Sequence, residues 1–121
     1  MHILVIDDDV PTREALTDVL EAEGHIVSVA ANGRDALDML GRMAMPDVAL
    51  LDMMMPVMTG WEFLEAARKT PALGKLKVVI VSAASPALIE TTGARAIVRK
   101  PLDLEHLLAV LNEVGAPSVV H

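Results

Sequence analysis

The sequence predicts an α/β fold in which one parallel five-stranded sheet is covered by helices on both faces. Short apolar runs rich in β-branched residues recur along the chain, and they alternate with segments whose apolar residues have helical spacing. Several of these runs are continuously hydrophobic, which is typical of strands that are buried on both faces of a parallel sheet. A chain of 121 residues is long enough for one such domain and too short for two.

The predicted strands cover residues 2–6, 25–30, 47–51, 77–81 and 96–98. Right-handed crossovers between parallel strands place the intervening helices on both sides of the sheet. The expected strand order is 2-1-3-4-5, the flavodoxin-like, doubly wound arrangement of five β-α units. We expect the domain to occupy residues 1–115, with residues 116–121 as a tail or a linker remnant.

Capping residues indicate where the helices begin and end. Asn32 is a favourable N-cap for the second helix, and Thr59 with Glu62 has the spacing of a capping box for the third. Gly24 follows the first helix, and Ser85 suits the start of a short fourth helix. The first and last helices are each predicted to have one apolar face that packs against the sheet. The residues of these faces are Ala15, Leu16, Val19, Leu20, Leu104, Leu107, Leu108 and Leu111.

Composition excludes several classes of function. The formal net charge is −7 and the ten Lys and Arg residues are scattered, which disfavours direct binding to nucleic acid. Aromatic residues make up only 2% of the chain, so a base-stacking surface is not expected. No apolar run approaches the roughly 18 residues of a membrane span. The absence of cysteine and of a secretory signal fits a cytoplasmic protein.

Polar residues stand where four of the predicted strands end. Asp7 and Asp8 follow the first strand, Asp52 the third, Ser82 the fourth and Lys100 the fifth. In an open α/β sheet, ligands bind beyond the carboxyl ends of the strands, near the point where the strand order reverses. We therefore expect these five side chains to converge on one site.

Clustered carboxylates repel one another unless a cation lies between them. Mg²⁺ prefers oxygen ligands in an octahedral shell that retains several waters, so the three carboxylates indicate a magnesium site, with Mn²⁺ as an alternative ion. A carboxylate can also act as a nucleophile toward phosphorus and form an aspartyl phosphate. An ammonium group and a hydroxyl group would then stabilise the charge that develops on the phosphoryl oxygens.

The residues and their order resemble those of response-regulator receiver domains of bacterial two-component systems, including the chemotaxis regulators. The resemblance covers essentially the whole chain. Its motifs are ILVIDDD at residues 3–9, DVALLDMMMPVMTGWEF at 47–63, VVIVSA at 78–83 and GARAIVRKP at 93–101. Each motif alone is weak, and the ordered set is specific.

The resemblance implies a role for each site residue. Asp52 would be the phosphoacceptor, Asp8 a direct metal ligand and Asp7 a ligand mostly through water, with the backbone carbonyl of Met54 as a further ligand. Ser82 occupies the position that closes on the phosphoryl group. Lys100 is the lysine that precedes a proline in a cis peptide bond.

The resemblance also implies a function in signal transduction. The phosphoryl donor would be a histidine kinase or a histidine phosphotransfer protein. Phosphorylation would change the binding of the domain to a downstream protein. The domain would be a monomer or a dimer that forms on phosphorylation. Such a protein catalyses only its own phosphorylation and dephosphorylation. Met54 and Ala84 flank the expected path of attacking water and offer no polar group, so we expect slow self-dephosphorylation.

Two positions depart from the family. The segment between Ser82 and Lys100 is about one helical turn shorter than in relatives, so a truncated fourth helix is expected. Ile97 stands three residues before Lys100, where the family usually has a rotating Tyr or Phe. Both departures favour one alternative, a pseudo-receiver that binds partners without phosphorylation.

A second alternative is a phosphohydrolase with an aspartate nucleophile. Such an enzyme needs a second acid two residues after its nucleophile, and Met54 at that position cannot transfer a proton. Asp9 is expected to cap the first helix rather than to bind metal. The four histidines are dispersed and have no spacing typical of a metal site.

Overall fold

The computed structural model describes residues 1–83 and 94–115. Three predictions lie outside these residues. They concern the fourth helix that begins near Ser85, the side chain of Ala84, and the tail at 116–121. Within the described ranges, no helix is long and apolar enough to cross a membrane.

The structure confirms the predicted sheet. All strand pairs are parallel, and the order is β2-β1-β3-β4-β5. The strands are β1 (His2–Ile6), β2 (Ile26–Ala30), β3 (Val48–Leu51), β4 (Val78–Ser82) and β5 (Ala96–Arg99). Strand β1 pairs with a strand on each side, and its Ile6 lies opposite Ala30 of β2 and Leu51 of β3.

The described helices begin at the predicted caps. They are α1 (Val10–Ala22), α2 (Gly33–Leu40), α3 (Gly60–Arg68) and α4 (Leu104–Gly115), with a 3₁₀ turn at Pro71–Leu73. The Asn32 side chain accepts a hydrogen bond from a backbone N–H of α2, and Thr59 and Glu62 form the reciprocal capping box of α3. Gly24 has a φ of 89°, the left-handed conformation expected after the end of α1.

Alternate residues of the central strands belong to two separate cores. Leu4 and Ile6 point into the core that contains Phe63 of α3, and Ile3 and Val5 point into the core that contains Leu107 of α4. Helices α2 and α3 therefore cover one face of the sheet, whereas α1 and α4 cover the other. Burial on both faces accounts for the continuous apolar sequences of β1, β3 and β4.

Three apolar residues are more exposed than their neighbours in the strands and helices. Ile26 of β2 is largely exposed because β2 is an edge strand with one neighbour in the sheet. The predicted burial of Ala15 and Leu104 against the sheet is wrong, because both residues are exposed. Ala15 lies beside the buried stripe that Leu16 and Leu20 form on α1, whereas Leu104 is the first residue of α4, one turn before the buried Leu107.

The loop between β3 and α3 contains a strained residue. Val57 has a φ of 69°, and its side chain is 77% exposed. A β-branched residue is unfavourable in the left-handed region, whereas Asn adopts it readily. We expect Val57→Asn to raise the free energy of unfolding by about 1 kcal/mol, as measured by urea denaturation.

The matched control for this prediction is Val29→Asn. Val29 is an exposed valine within β2, where a β-branched residue is favoured, so this change should lower stability. Equal losses of stability in both variants would contradict the assignment of strain to Val57.

Candidate functional site

The backbone brings the ends of β1 and β3 to the same edge of the sheet. Asp7 follows β1 directly, and its N–H donates to the carbonyl of Ala30 at 3.2 Å. Asp52 follows β3 directly, and its N–H donates to the carbonyl of Ile6 at 3.0 Å. These bonds continue the parallel ladders by one residue and hold both aspartates at adjacent positions.

Three carboxylates meet at this edge, as the sequence predicts. Asp7, Asp8 and Asp52 each offer an oxygen, and these oxygens all lie within 4.8 Å of one another. Asp7 and Asp52 are only 3% and 6% exposed, whereas Asp8 is exposed. The cluster is therefore buried on one side and open to solvent on the other.

Lys100 lies against two of these carboxylates. Its Nζ is 3.7 Å from Oδ2 of Asp7 and 3.6 Å from Oδ2 of Asp52. Its peptide bond to Pro101 is cis, as expected from the family motif. The ammonium group thus provides one positive charge beside three carboxylates, and a net negative charge remains.

Ser82 is fully buried at the carboxyl end of β4. The strand includes this residue, so β4 ends one residue later than the sequence indicates. The carbonyl of Ser82 accepts a hydrogen bond of 3.1 Å from the N–H of Lys100. This bond links the two strand ends that carry the predicted hydroxyl and ammonium groups.

Met54 contacts the site through its backbone. Its N–H donates to Oδ1 of Asp52 at 3.2 Å, while its side chain extends into solvent. The loop that contains it is held by a 3.0 Å bond from the N–H of Gly60 to the carbonyl of Met53. A Cβ at Gly60 would lie 2.7 Å from the Cα of Met53, so only glycine fits this approach.

Burial raises the pKa of Asp7 above its ordinary value of 3.8. The N–H of Asp9 and the charge of Lys100 oppose this effect, and the charges of Asp52 and Asp8 add to it. The pKa of Asp9 is lowered, chiefly by hydrogen bonds from the side chain and backbone N–H of Thr12. Asp9 therefore caps α1, as predicted.

The donor set fits a hard divalent cation. It consists of carboxylate oxygens, the ligand type that Mg²⁺ prefers, and its solvent-facing side leaves room for coordinated water. A divalent charge would also offset the burial and the repulsion that raise the pKa of Asp7. Asp7, Asp8 and Asp52 are the residues that could hold such an ion, together with the carbonyl predicted at Met54.

Arg13 is a site neighbour that the sequence does not reveal. Its Nη1 donates to the backbone carbonyl of Asp7 at 2.9 Å, so the side chain reaches back from α1 to the end of β1. The contact steadies the turn that presents the acidic pair. An arginine at this spacing has no distinctive sequence signal, because most helix-surface arginines are solvated.

The raised pKa of Asp7 predicts a pH-dependent stability. A carboxyl whose folded pKa is raised favours the native state at low pH, and this contribution disappears as the pH rises through the folded pKa. In EDTA at pH 7, Asp7→Asn should therefore be more stable than the wild type, and the difference should vanish below pH 3.8. Urea denaturation at several pH values measures this difference.

The control for this prediction is Asp18→Asn, which removes an exposed carboxylate on α1. It should change the stability little at any of these pH values. A loss of stability in Asp7→Asn at pH 7 would show that the contact with Lys100 outweighs the cost of burial.

Comparisons with known proteins agree with this geometry. The family model of the response regulator receiver domain matches residues 3–112. The protein PilH of Pseudomonas aeruginosa is 34% identical over 119 residues, which cover 95% of this chain and 98% of that protein. Response regulator MprA of Mycolicibacterium vanbaalenii is 37% identical over 114 residues, which are 90% of this chain but only 48% of MprA.

The fold has close counterparts among solved structures. The chemotaxis protein CheY4 of Vibrio cholerae superimposes with a TM-score of 0.85 at 32% sequence identity, covering 93% of this chain and 97% of CheY4. The family match spans nearly all of the chain, and the acidic cluster lies at the sheet edge where the family motifs predict it. The chain therefore belongs to the response regulator receiver domain family.

Proposed function

We propose that this receiver domain accepts a phosphoryl group on Asp52 in a reaction that depends on Mg²⁺. One observation carries the proposal. The Asp52 carboxylate lies within reach of two further carboxylates and 3.6 Å from the Nζ of Lys100, at the solvent-facing edge of the sheet. A nucleophile, a candidate metal site and a cation for the developing charge are thus adjacent.

The donor in this proposal is the phosphohistidine of a histidine kinase or a phosphotransfer protein. A carboxylate oxygen of Asp52 forms the new bond to phosphorus, while the bond from phosphorus to the imidazole nitrogen breaks and the electron pair stays on the imidazole. Lys100 and Ser82 stabilise negative charge on the phosphoryl oxygens. Bound Mg²⁺ supplies further positive charge to these oxygens and lowers the repulsion among the acids.

The signal in this proposal is a change in partner binding. Phosphorylation draws the hydroxyl of Ser82 toward the phosphoryl group and shifts an existing equilibrium between two conformations. Ile97 packs against the core beside β4 and has no hydroxyl or ring to report this shift. The chain acts on no substrate other than its own aspartate, and it works in the cytoplasm, where histidine kinases present their phosphohistidine.

A beryllofluoride titration with Mg²⁺, followed by NMR, tests the proposal. Beryllofluoride mimics a phosphoryl group on a carboxylate, so the backbone signals of Asp52, Met54 and Lys100 should shift. No shift with beryllofluoride and millimolar Mg²⁺ would refute the proposal. It would favour a pseudo-receiver that binds its partner without phosphorylation, the second candidate, for which Ile97 is the supporting observation.

A further inference from the structure

One methionine differs from the others in its exposure. The β3–α3 loop contains Met53, Met54 and Met55 in sequence, and the first and third are buried. Met54 is 66% exposed and is the most exposed of the eight methionines of the chain. The next is Met45, which is 40% exposed. A water-soluble oxidant therefore reaches the thioether of Met54 more readily than any other.

The position of Met54 places this exposed residue beside the acidic site. Its N–H binds Oδ1 of Asp52 at 3.2 Å, and the loop around it is held by the bond between Gly60 and Met53. The side chain therefore starts beside the Asp52 carboxylate and extends from the rim of the site into solvent. Met45 lies in the loop that leads to the opposite end of β3, so its oxidation should not affect the site.

We propose that Met54 is a site of reversible oxidation by peroxides, and that its sulfoxide shortens the lifetime of a phosphoryl group on Asp52. The second half of this inference rests on the function proposed above, and the first half does not. Met54 would thus allow an oxidant to switch off the phosphorylated state without acting on the kinase.

The oxidation step is balanced with hydrogen peroxide as the oxidant. A lone pair of the Met54 sulfur attacks one peroxide oxygen, the S–O bond forms, and the O–O bond breaks. The leaving hydroxide takes the proton of the transferred oxygen and departs as water. Sulfur loses two electrons, peroxide is reduced, and methionine sulfoxide reductases reverse the change.

Oxidation of Met54 adds a hydrogen-bond acceptor at the solvent-facing side of the acidic site. A thioether is a weak hydrogen-bond acceptor, so the unmodified side chain does not orient an attacking water by a hydrogen bond. A sulfoxide oxygen is a polar acceptor on the same flexible side chain. It can accept a hydrogen bond from a water that approaches phospho-Asp52 and orient that water for attack on phosphorus.

The test combines mass spectrometry with measurements of phosphoryl lifetime. The protein is treated with hydrogen peroxide, and sulfoxide is located by peptide mapping. Treated and untreated protein are then phosphorylated with acetyl phosphate and Mg²⁺, freed of donor, and followed by loss of the phosphoryl group. We expect sulfoxide to form first at Met54, and the lifetime to fall by about fivefold, the change produced by about 1 kcal/mol at the barrier.

Three variants make the result specific. Peroxide should leave the lifetime of Met54→Leu at the value of its own untreated sample, whereas Met45→Leu should respond as the wild type does. Met54→Gln places an amide oxygen near the sulfoxide position and should shorten the lifetime without peroxide. Treatment of the oxidised wild type with methionine sulfoxide reductase should restore the longer lifetime.

The outcomes separate this inference from the function on which it rests. If acetyl phosphate does not modify untreated protein, the proposed function fails, and the mapping still decides whether Met54 is the preferred site of oxidation. If phosphorylation occurs and the lifetime is equal with and without Met54 sulfoxide, the redox inference is wrong and the proposed function stands. Preferred oxidation at Met45 would also overturn the inference.

Discussion

Asp52→Asn protein should take up no phosphoryl group from acetyl phosphate or from a phosphorylated histidine kinase. Asp52 is the only one of the three clustered carboxylates that both lies within 4 Å of Lys100 and accepts the N–H of Met54. An amide at this position keeps the shape of the side chain and removes the nucleophilic oxygen charge. Intact-protein mass spectrometry under acid conditions, which preserve acyl phosphates, measures the uptake.

Asp47→Asn is the matched control for this experiment. Asp47 directly precedes β3 and Asp52 directly follows it, so the two changes place the same amide at opposite ends of one strand. Oδ2 of Asp47 accepts the N–H of His2 at 2.7 Å, a bond that an asparagine oxygen can retain. Asp47→Asn should be labelled like the wild type, and labelling of Asp52→Asn at a comparable rate would assign the phosphoacceptor to another residue.

Lys100→Met should have two effects of opposite direction. The rate of phosphorylation should fall by about 100-fold, the cost of losing one group that stabilises charge in a transition state. The affinity for Mg²⁺ should rise, because the Nζ of Lys100 lies 3.7 Å from Asp7 and 3.6 Å from Asp52 and repels a second cation from both. Single-turnover kinetics measures the first effect, and a Mg²⁺ titration followed by NMR measures the second.

Lys69→Met serves as the control for the loss of a lysine charge. Lys69 directly follows α3 and pairs with Glu65 of that helix at 3.2 Å on the exposed surface, where an ion pair contributes little. It should change neither the rate nor the affinity. A general defect of folding would weaken both properties of Lys100→Met, so the opposite directions distinguish an electrostatic role from a structural one. Weaker Mg²⁺ binding in Lys100→Met would contradict the electrostatic account.

Local rules explain why so much of the fold could be predicted. The caps at Asn32 and Thr59 can be predicted because a capping side chain accepts a hydrogen bond from a backbone N–H within one turn of chain. Short β-branched runs predict the strands, and the boundary of β4 differs by one residue because the polar Ser82 continues the ladder. The candidate site followed from one topological rule applied to the strand ends.

Properties that depend on neighbours in space could not be predicted in the same way. Ile26 and Ile3 both lie in apolar runs of the sequence, yet Ile26 of the edge strand β2 is exposed and Ile3 of β1 is buried. The apolar spacing of the sequence predicts Ala15 on the buried face of α1, but the packing of the helix places it outside that face. Arg13 donates a hydrogen bond to the Asp7 carbonyl, and the spacing of the two residues in the sequence does not reveal this contact.

The sequence by itself determined the fold class, the helix caps and the identity of the acidic, hydroxyl and ammonium groups at the strand ends. These features follow from periodicity and from hydrogen bonds between residues close in the chain. Only the tertiary structure decided that Asp7 is buried and Asp8 exposed, that the carboxylate oxygens approach within 4.8 Å, and that Met54 is exposed between two buried methionines. Burial and electrostatic interaction act through space, and they depend on which strands become neighbours once the chain has folded.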